Sequence, residues 1–258
     1  DAARLVCARG ALMAQCRADG AMASVEATEE ELLEVIWDRS DQLSVAGLNS
    51  PIQTVVSGDA DAVNAIVDHF NQQGRRTRHL RVSRAFHSPH MNDALETFGK
   101  VARSCTFYPP CIPVVSTLTA GPLPVPAQLA DYWVEQLRGP VRFLDAIRQL
   151  EHQGVRQYVE CGPVPMLSTL AASCVSTDPQ GGFVASLHAD CDETTSFYEA
   201  AAAVFAGGTD LHWDRLVPWV PTQVRIPGHI FARPPLDDWQ WCACPRESPH
   251  GCVVGRRW

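Results

Sequence analysis

Leu43-Ser44-Val45-Ala46-Gly47-Leu48, Asn49-Ser50-Pro51, Ile52-Gln53-Thr54-Val55-Val56-Ser57 reads as strand, turn and strand. The flanking runs are apolar and rich in β-branched residues, and Asn-Ser-Pro is turn chemistry. Working outward, Ala21–Val25 is a short strand leading to a helix capped by Thr28, with Glu29, Glu30 and Glu31 in its first turn. On the other side, Gly58-Asp59 starts a helix whose face carries Val63, Ile66, Val67 and Phe70, and Gly74 ends it. The run Thr77–Val82 closes the set as a strand. The order βαββαβ over residues 21–85 is the ferredoxin-like arrangement.

The flanking sequence has a different rhythm. Ala2 to about Arg17 reads as a helix with Leu5, Arg9, Leu12, Met13 and Cys16 on one stripe. Residues 86 to about 190 alternate helices and short strands. We expect a helix opened by Pro89, strands at Ile112–Ser116 and Gln157–Cys161, and helices at Gln128–Leu137, Val141–Gln153 and Met166–Cys174. A strand Phe183–Leu187 and a helix Thr194–Phe205 follow. Alternation of this kind argues for an α/β layer on a mostly parallel sheet. The proline-rich stretch beyond Gly207-Gly208 reads as an extended linker, and residues 239–258 carry no recognisable pattern.

At 258 residues, 46% apolar and 19% charged, the chain is an ordinary globular composition. Net charge is −8, and Lys100 is the one lysine, an arginine bias that reflects GC-rich coding. We read no basic stripe, which argues against nucleic-acid binding. There is no apolar run of membrane-spanning length and no signal-peptide layout, so a cytoplasmic protein is expected. The ten cysteines are scattered, and Cys242, Cys244, His250 and Cys252 follow no zinc-module spacing. Reduced thiols, no metal and no bound cofactor are the expectation. The chain opens at Asp1 with no methionine and no preceding strand, from which we expect a fragment of a longer polypeptide.

Two side chains are candidates for chemistry, although a lone histidine at a junction is more often a turn residue than a base. His87, in Ala85-Phe86-His87-Ser88-Pro89, sits at a junction before a helix, near a positive helix end that favours neutral imidazole. A neutral, exposed ring is what a general base requires. Arg9 lies inside an apolar stripe, where a guanidinium needs an anion. An internal salt bridge and a substrate-carboxylate clamp are equally compatible with that placement. Gln136 has no role assignable from periodicity, although a helix C-terminal carbonyl beside it is able to orient an imidazole.

These stretches resemble the acyltransferase domain of modular polyketide synthases, related to malonyl-CoA:acyl-carrier-protein transacylases. The resemblance covers about residues 1 to 190. It rests on Asp1–Val6 through Arg9-Gly10-Ala11-Leu12-Met13, Asn49-Ser50-Pro51 to Val55-Val56-Ser57-Gly58, and Ala85 to Pro89. Tyr132-Trp133-Val134, Arg138-Gly139-Pro140-Val141-Arg142-Phe143 and Glu160-Cys161-Gly162-Pro163 complete it. It implies an α/β-hydrolase-like core (residues 1–20 and 86–190, partial) with the ferredoxin-like subdomain (21–85) inserted. A helix and linker (191–238) and an unassigned tail (239–258) follow. It also implies acyl transfer from malonyl-CoA to the phosphopantetheine thiol of an acyl carrier protein, beside neighbouring synthase domains, through a serine acyl-enzyme. His87 matches the base, Gln136 the residue that holds it by a hydrogen bond, and Arg9 the arginine that binds the malonyl carboxylate. Phe86 matches a position selecting malonyl over methylmalonyl, and Asn49 a pocket asparagine.

The chain departs from the family in lacking G-x-S-x-G, so the serine would lie upstream and the fragment alone is expected to be inactive. Arg84 stands where malonyl-selective domains usually have histidine. A non-catalytic remnant acting only as a structural or docking module is the competing reading, and a general serine hydrolase a third.

Overall fold

The computed structural model describes residues 1–176 and 182–217. The Pro179–Gly181 turn, most of the linker and all of the tail, with its cysteine cluster, lie outside the described residues. In chain order the elements are α1 (Ala2–Gln15), β1 (Gly20–Val25), α2 (Glu29–Ile36), β2 (Leu43–Ser50), β3 (Gln53–Asp59), α3 (Ala60–Gln72) and β4 (Thr77–His79). A 3₁₀ turn (Pro89–Met91) precedes α4 (Asn92–Arg103), and another (Pro126–Gln128) precedes α5 (Leu129–Arg138). Then come α6 (Phe143–His152), β5 (Gln157–Glu160), α7 (Leu167–Ala171), β6 (Gly182–Ala185) and α8 (Glu193–Ala206). A single turn, α9 (Trp213–Leu216), belongs to a separate unit beginning at His212.

Strands β1 to β4 form an antiparallel sheet in the order β2-β3-β1-β4. Helices α2 and α3 pack on it because their apolar positions recur every three to four residues: Leu32 and Ile36, then Val63, Ile66, Val67 and Phe70 are all buried. Thr28 and Glu31 close a reciprocal capping box at the start of α2. The β2–β3 turn sits one residue later than expected: Ser50 pairs with Gln53, leaving Pro51 and Ile52 at the tip. Strands β5 and β6 are parallel, the arrangement that alternation with helices implies.

The core is contiguous from α2, α3 and β1–β3 through Leu144 and Ile147 of α6 to Ala171 and Cys174. A second cluster joins α1, α4 and α5 through Leu5, Met91, Phe98, Ala102 and Leu137.

Three expectations are corrected. The strand expected at Thr77–Val82 stops at His79: Leu80 N–H still reaches Met22 O at 2.9 Å, after which the chain turns away to bury Ala85. Ile112–Ser116 is not a strand, and Val115–Pro122 makes one isolated bridge within a loop. Pro109, Pro110 and Pro113 remove the donors a ladder needs. The arginines are also less scattered than the absence of a basic stripe suggests, since Arg75, Arg76, Arg78, Arg81 and Arg84 fall within ten residues. Arg75 pairs with Glu31 and Arg76 with Glu26, which ties the start of β4 to α2 and β1.

Candidate active site

The loop from Ala85 to Met91 carries the candidate base. Ser88 is fully buried, accepts from His90 N–H and donates to Ala85 O at 2.6 Å. Folding the loop this tightly puts His87 in the left-handed region, at φ 59°. A residue with a Cβ adopts that conformation only where its surroundings impose it.

His87 Nδ1 lies 2.7 Å from Gly139 O. A carbonyl only accepts, so Nδ1 carries the proton and the lone pair is on Nε2. Gly139 follows the last turn of α5, and a Cβ there would meet Leu118 Cδ1 at 2.5 Å. Glycine is what lets the backbone sit so close. The next residues are stitched to β2: Val141 N–H donates to Ala46 O and Leu48 N–H to Val141 O, both at 2.9 Å. The imidazole is therefore oriented by backbone that is tied, two residues further on, to the edge of the sheet.

The histidine's pKa is held below its ordinary value, first by burial and then by the charges of Arg9 and Arg138, against the opposing pull of the Gly139 hydrogen bond. The ring is thus neutral at neutral pH, as a base must be. Arg138 also donates to His87 O at 3.4 Å and to Asn92 at 3.2 Å.

Gln136 is corrected: it does not hold His87. Its Oε1 accepts from the Arg9 guanidinium, and the ring's partner is the Gly139 carbonyl three residues on. Arg9 is half-buried and, among the described residues, pairs with no carboxylate. Burial lowers its pKa from the ordinary arginine value while Tyr132 opposes the shift. It borders an apolar cleft of about 450 Å³ with Leu5, Phe98 and Trp133. The internal salt bridge that its sequence position left open is absent from these residues.

Phe86 packs at the junction of two clusters, against the group of Met22, Ala46 and Val55 and against the group of α1, α4 and α5. Asn49 lies on β2, one residue past the stitch to Val141, and its carbonyl accepts from Cys174. No hydrogen bond among the described residues joins Asn49 to His87, Arg9 or Gln136.

Arg84 has a local role that periodicity did not suggest. It donates to Cys16 O, Ala14 O and Ser83 O at 2.7–2.8 Å, so it neutralises the C-terminal end of α1. No group of metal-binding side chains occurs among the described residues, and no described helix is long and apolar enough to cross a membrane.

Residues 1–209 match the family described as acyl transferase domain, reaching past the 190 residues that the motifs alone covered. The chain is 39% identical over 239 residues to the spectinabilin polyketide synthase system protein of Streptomyces orinoci, covering 90% of this chain and 11% of that protein. It is 38% identical over 236 residues to a phenolphthiocerol synthesis polyketide synthase type I of Mycobacterium marinum, with the same coverage of 90% and 11%. The acyltransferase domain from the second module of the salinomycin polyketide synthase superposes with a TM-score of 0.79 at 39% identity, over 84% of this chain and 51% of that one. A malonyl-CoA:acyl carrier protein transacylase from Xanthomonas oryzae gives 0.68 at 30% identity, over 78% and 63%. The chain thus spans about half of the salinomycin domain and a tenth of these synthases. On the family match and these identities, it belongs to the acyl transferase domain family, of the type found in polyketide synthases.

Proposed function

We propose that this chain carries the general base and the carboxylate-binding arginine of a cytoplasmic acyltransferase. That enzyme moves malonyl groups from coenzyme A to the phosphopantetheine thiol of an acyl carrier protein. The observation that carries the reading is the His87 ring, locked by Nδ1–H on Gly139 O with its Nε2 lone pair free, close enough to the Arg9 charge to be shifted by it.

The nucleophile is a serine on a segment that this sequence does not contain. His87 Nε2 takes the serine proton as Oγ attacks the thioester carbonyl. The imidazolium then returns that proton to the departing coenzyme A sulfur, leaving a malonyl-serine ester. The carrier-protein thiol repeats the cycle in reverse. The Gly139 carbonyl stabilises the imidazolium in both halves. Arg9 binds the free malonyl carboxylate through its bidentate fork, and Gln136 holds Arg9 rather than the base. Phe86 and Asn49 complete the acyl pocket.

The four-stranded unit is read as the inserted ferredoxin-like subdomain, with the β5–β6 layer part of a hydrolase-like core. Parallel sheets are normally covered on both faces, yet here Val159 is 48% exposed on a two-stranded layer. Those proportions suit the edge of a larger sheet. Without a G-x-S-x-G serine, this chain by itself should not turn over.

The test is to join the chain to a serine-bearing upstream segment and follow malonyl loading. His87→Ala should cut acylation by at least ~10²-fold, as loss of a general base does. Because the His87 pKa is lowered, wild-type acylation should hold as pH falls past the ordinary imidazole value of 6.5. Near-normal acyl-enzyme formation by His87→Ala removes the base assignment.

A further inference from the structure

His90 lies three residues from the candidate base and takes no part in the proposed chemistry. It is 3% exposed, and its Nε2 lies 2.6 Å from Asp59 Oδ1. A carboxylate accepts, so Nε2–H donates, while Nδ1 has no hydrogen-bond partner. An imidazole in such a place is costly to bury, and an apolar side chain would fill the volume without that cost. What imidazole adds is one strong, directional bond to the neighbouring unit.

Asp59 is suited to receive it. It stands at the N-cap of α3 yet makes no side-chain cap bond there. Its carboxylate turns instead to His90 and to Arg17 at 3.4 Å, and Arg17 is in turn forked onto Asp19. Gly20, at the start of β1, is pressed directly onto the loop: a Cβ there would meet Ala85 Cβ at 2.6 Å and His90 Cε1 at 2.8 Å. The loop therefore has two anchorages. One is His90 on the four-stranded unit, and the other is the His87 ring on the end of α5. The left-handed His87 backbone lies between them.

We propose that His90 is a positioning residue for His87, its bond to Asp59 holding the left-handed loop in the form that aims the His87 ring at Gly139. Without that bond the loop has only local interactions to keep a conformation that the backbone disfavours. As it relaxes, the Nδ1–H···O bond at its centre breaks first. Calling His87 the base rests on the function proposed above, but the positioning is read from the state of the ring. A failure of malonyl transfer leaves it standing.

The experiment uses the full chain labelled with ¹⁵N-histidine, with the His87 signals assigned by their loss in His87→Gln. Long-range ¹H–¹⁵N spectra report the tautomer and titration of each ring. In His90→Leu and in Asp59→Ala, His87 should lose its single Nδ1–H tautomer and titrate higher, toward the ordinary imidazole value. In His90→Gln, whose amide N–H is able to reach Asp59, the wild-type signature should return. A merely structural role would lower the melting temperature and leave the His87 tautomer and titration unchanged in the folded variants, and that result overturns the proposal. If His90→Leu does not fold, Asp59→Ala decides alone, since its side chain is 36% exposed and caps no helix.

Discussion

At the scale of single residues, the hydrogen bonds move Gln136 from the histidine, where the resemblance placed it, to the arginine. Gln136 holds the arginine and a backbone carbonyl holds the histidine, so the two are separable by mutation. Arg9→Ala in a completed domain should weaken malonyl transfer while leaving acetyl or propionyl transfer intact or improved. Losing a charge-assisted partner costs ~2–5 kcal/mol when buried, and half-burial places Arg9 at the low end. Melting temperature and the malonyl-to-acetyl rate ratio, measured on one variant, distinguish a clamp from a structural cation. A uniform loss on all acyl groups would count against the clamp. Phe86→Ser should relax discrimination against methylmalonyl by ~10–200-fold, the worth of one methyl in an apolar pocket. Because Phe86 also packs on two clusters, the ratio of products matters more than the rate. An unchanged ratio would place selectivity elsewhere.

At the scale of elements, charge and capping set which helix ends persist. The α2 start is the clearest case. Thr28 Oγ1 accepts from Glu31 N–H, and Glu31 returns a bond to Thr28 N–H while its carboxylate pairs with Arg75. Thr28→Ala should cost ~1 kcal/mol, the typical worth of such a cap, seen as a lower denaturant midpoint with unchanged slope. The Arg75 hydrogen bond, followed by the Thr28 N–H, holds the Glu31 pKa down at about 2. A depressed carboxylate contributes stability that is complete above its unfolded value of about 4.3 and lost as pH falls from there toward 2. Unfolding followed between pH 5 and pH 2 should show Glu31→Gln losing less stability than wild type over that window. Equal slopes would show that other carboxylates dominate. Arg84 acts in the same way at the far end of α1, where its bonds to the Ala14 and Cys16 carbonyls explain why a cation stands there.

At the scale of the molecule, the loop 85–91 is where the sheet-bearing core meets the α1–α4–α5 cluster. At Gly20 the backbone meets the Ala85 Cβ and the His90 ring, with the Gly58 carbonyl of β3 beside them, so an added methyl has no room. Gly20→Ala should destabilise the domain by ~1–3 kcal/mol through overpacking, lowering the thermal midpoint. An unchanged midpoint would mean that the joint opens without cost.

Much of this was written locally. The apolar runs and the turn in residues 43–57, the Thr28 cap, the α3 stripe and the Gly74 stop are short-range patterns, and they sufficed for the βαββαβ order before any contact was known. His87 and Arg9 stood out locally as polar groups at a helix junction and inside an apolar stripe, but the local pattern left a structural role open for each. Three things were decided only in three dimensions. Strand β4 ended early because the chain leaves the edge of β1 after the bond at Met22 and turns to bury Ala85, although β1 itself continues to Gly20. His87 took a left-handed backbone within a loop whose Ala85 and His90 are both pressed onto Gly20. The acceptor for its ring was the Gly139 carbonyl rather than the Gln136 side chain. Both acceptors sit at one helix end, three residues apart, and only the packing of α5 against α4 and the loop determines which one meets the imidazole. Periodicity records which face of an element is buried, while hydrogen-bond partners between distant segments depend on distances that local spacing does not contain.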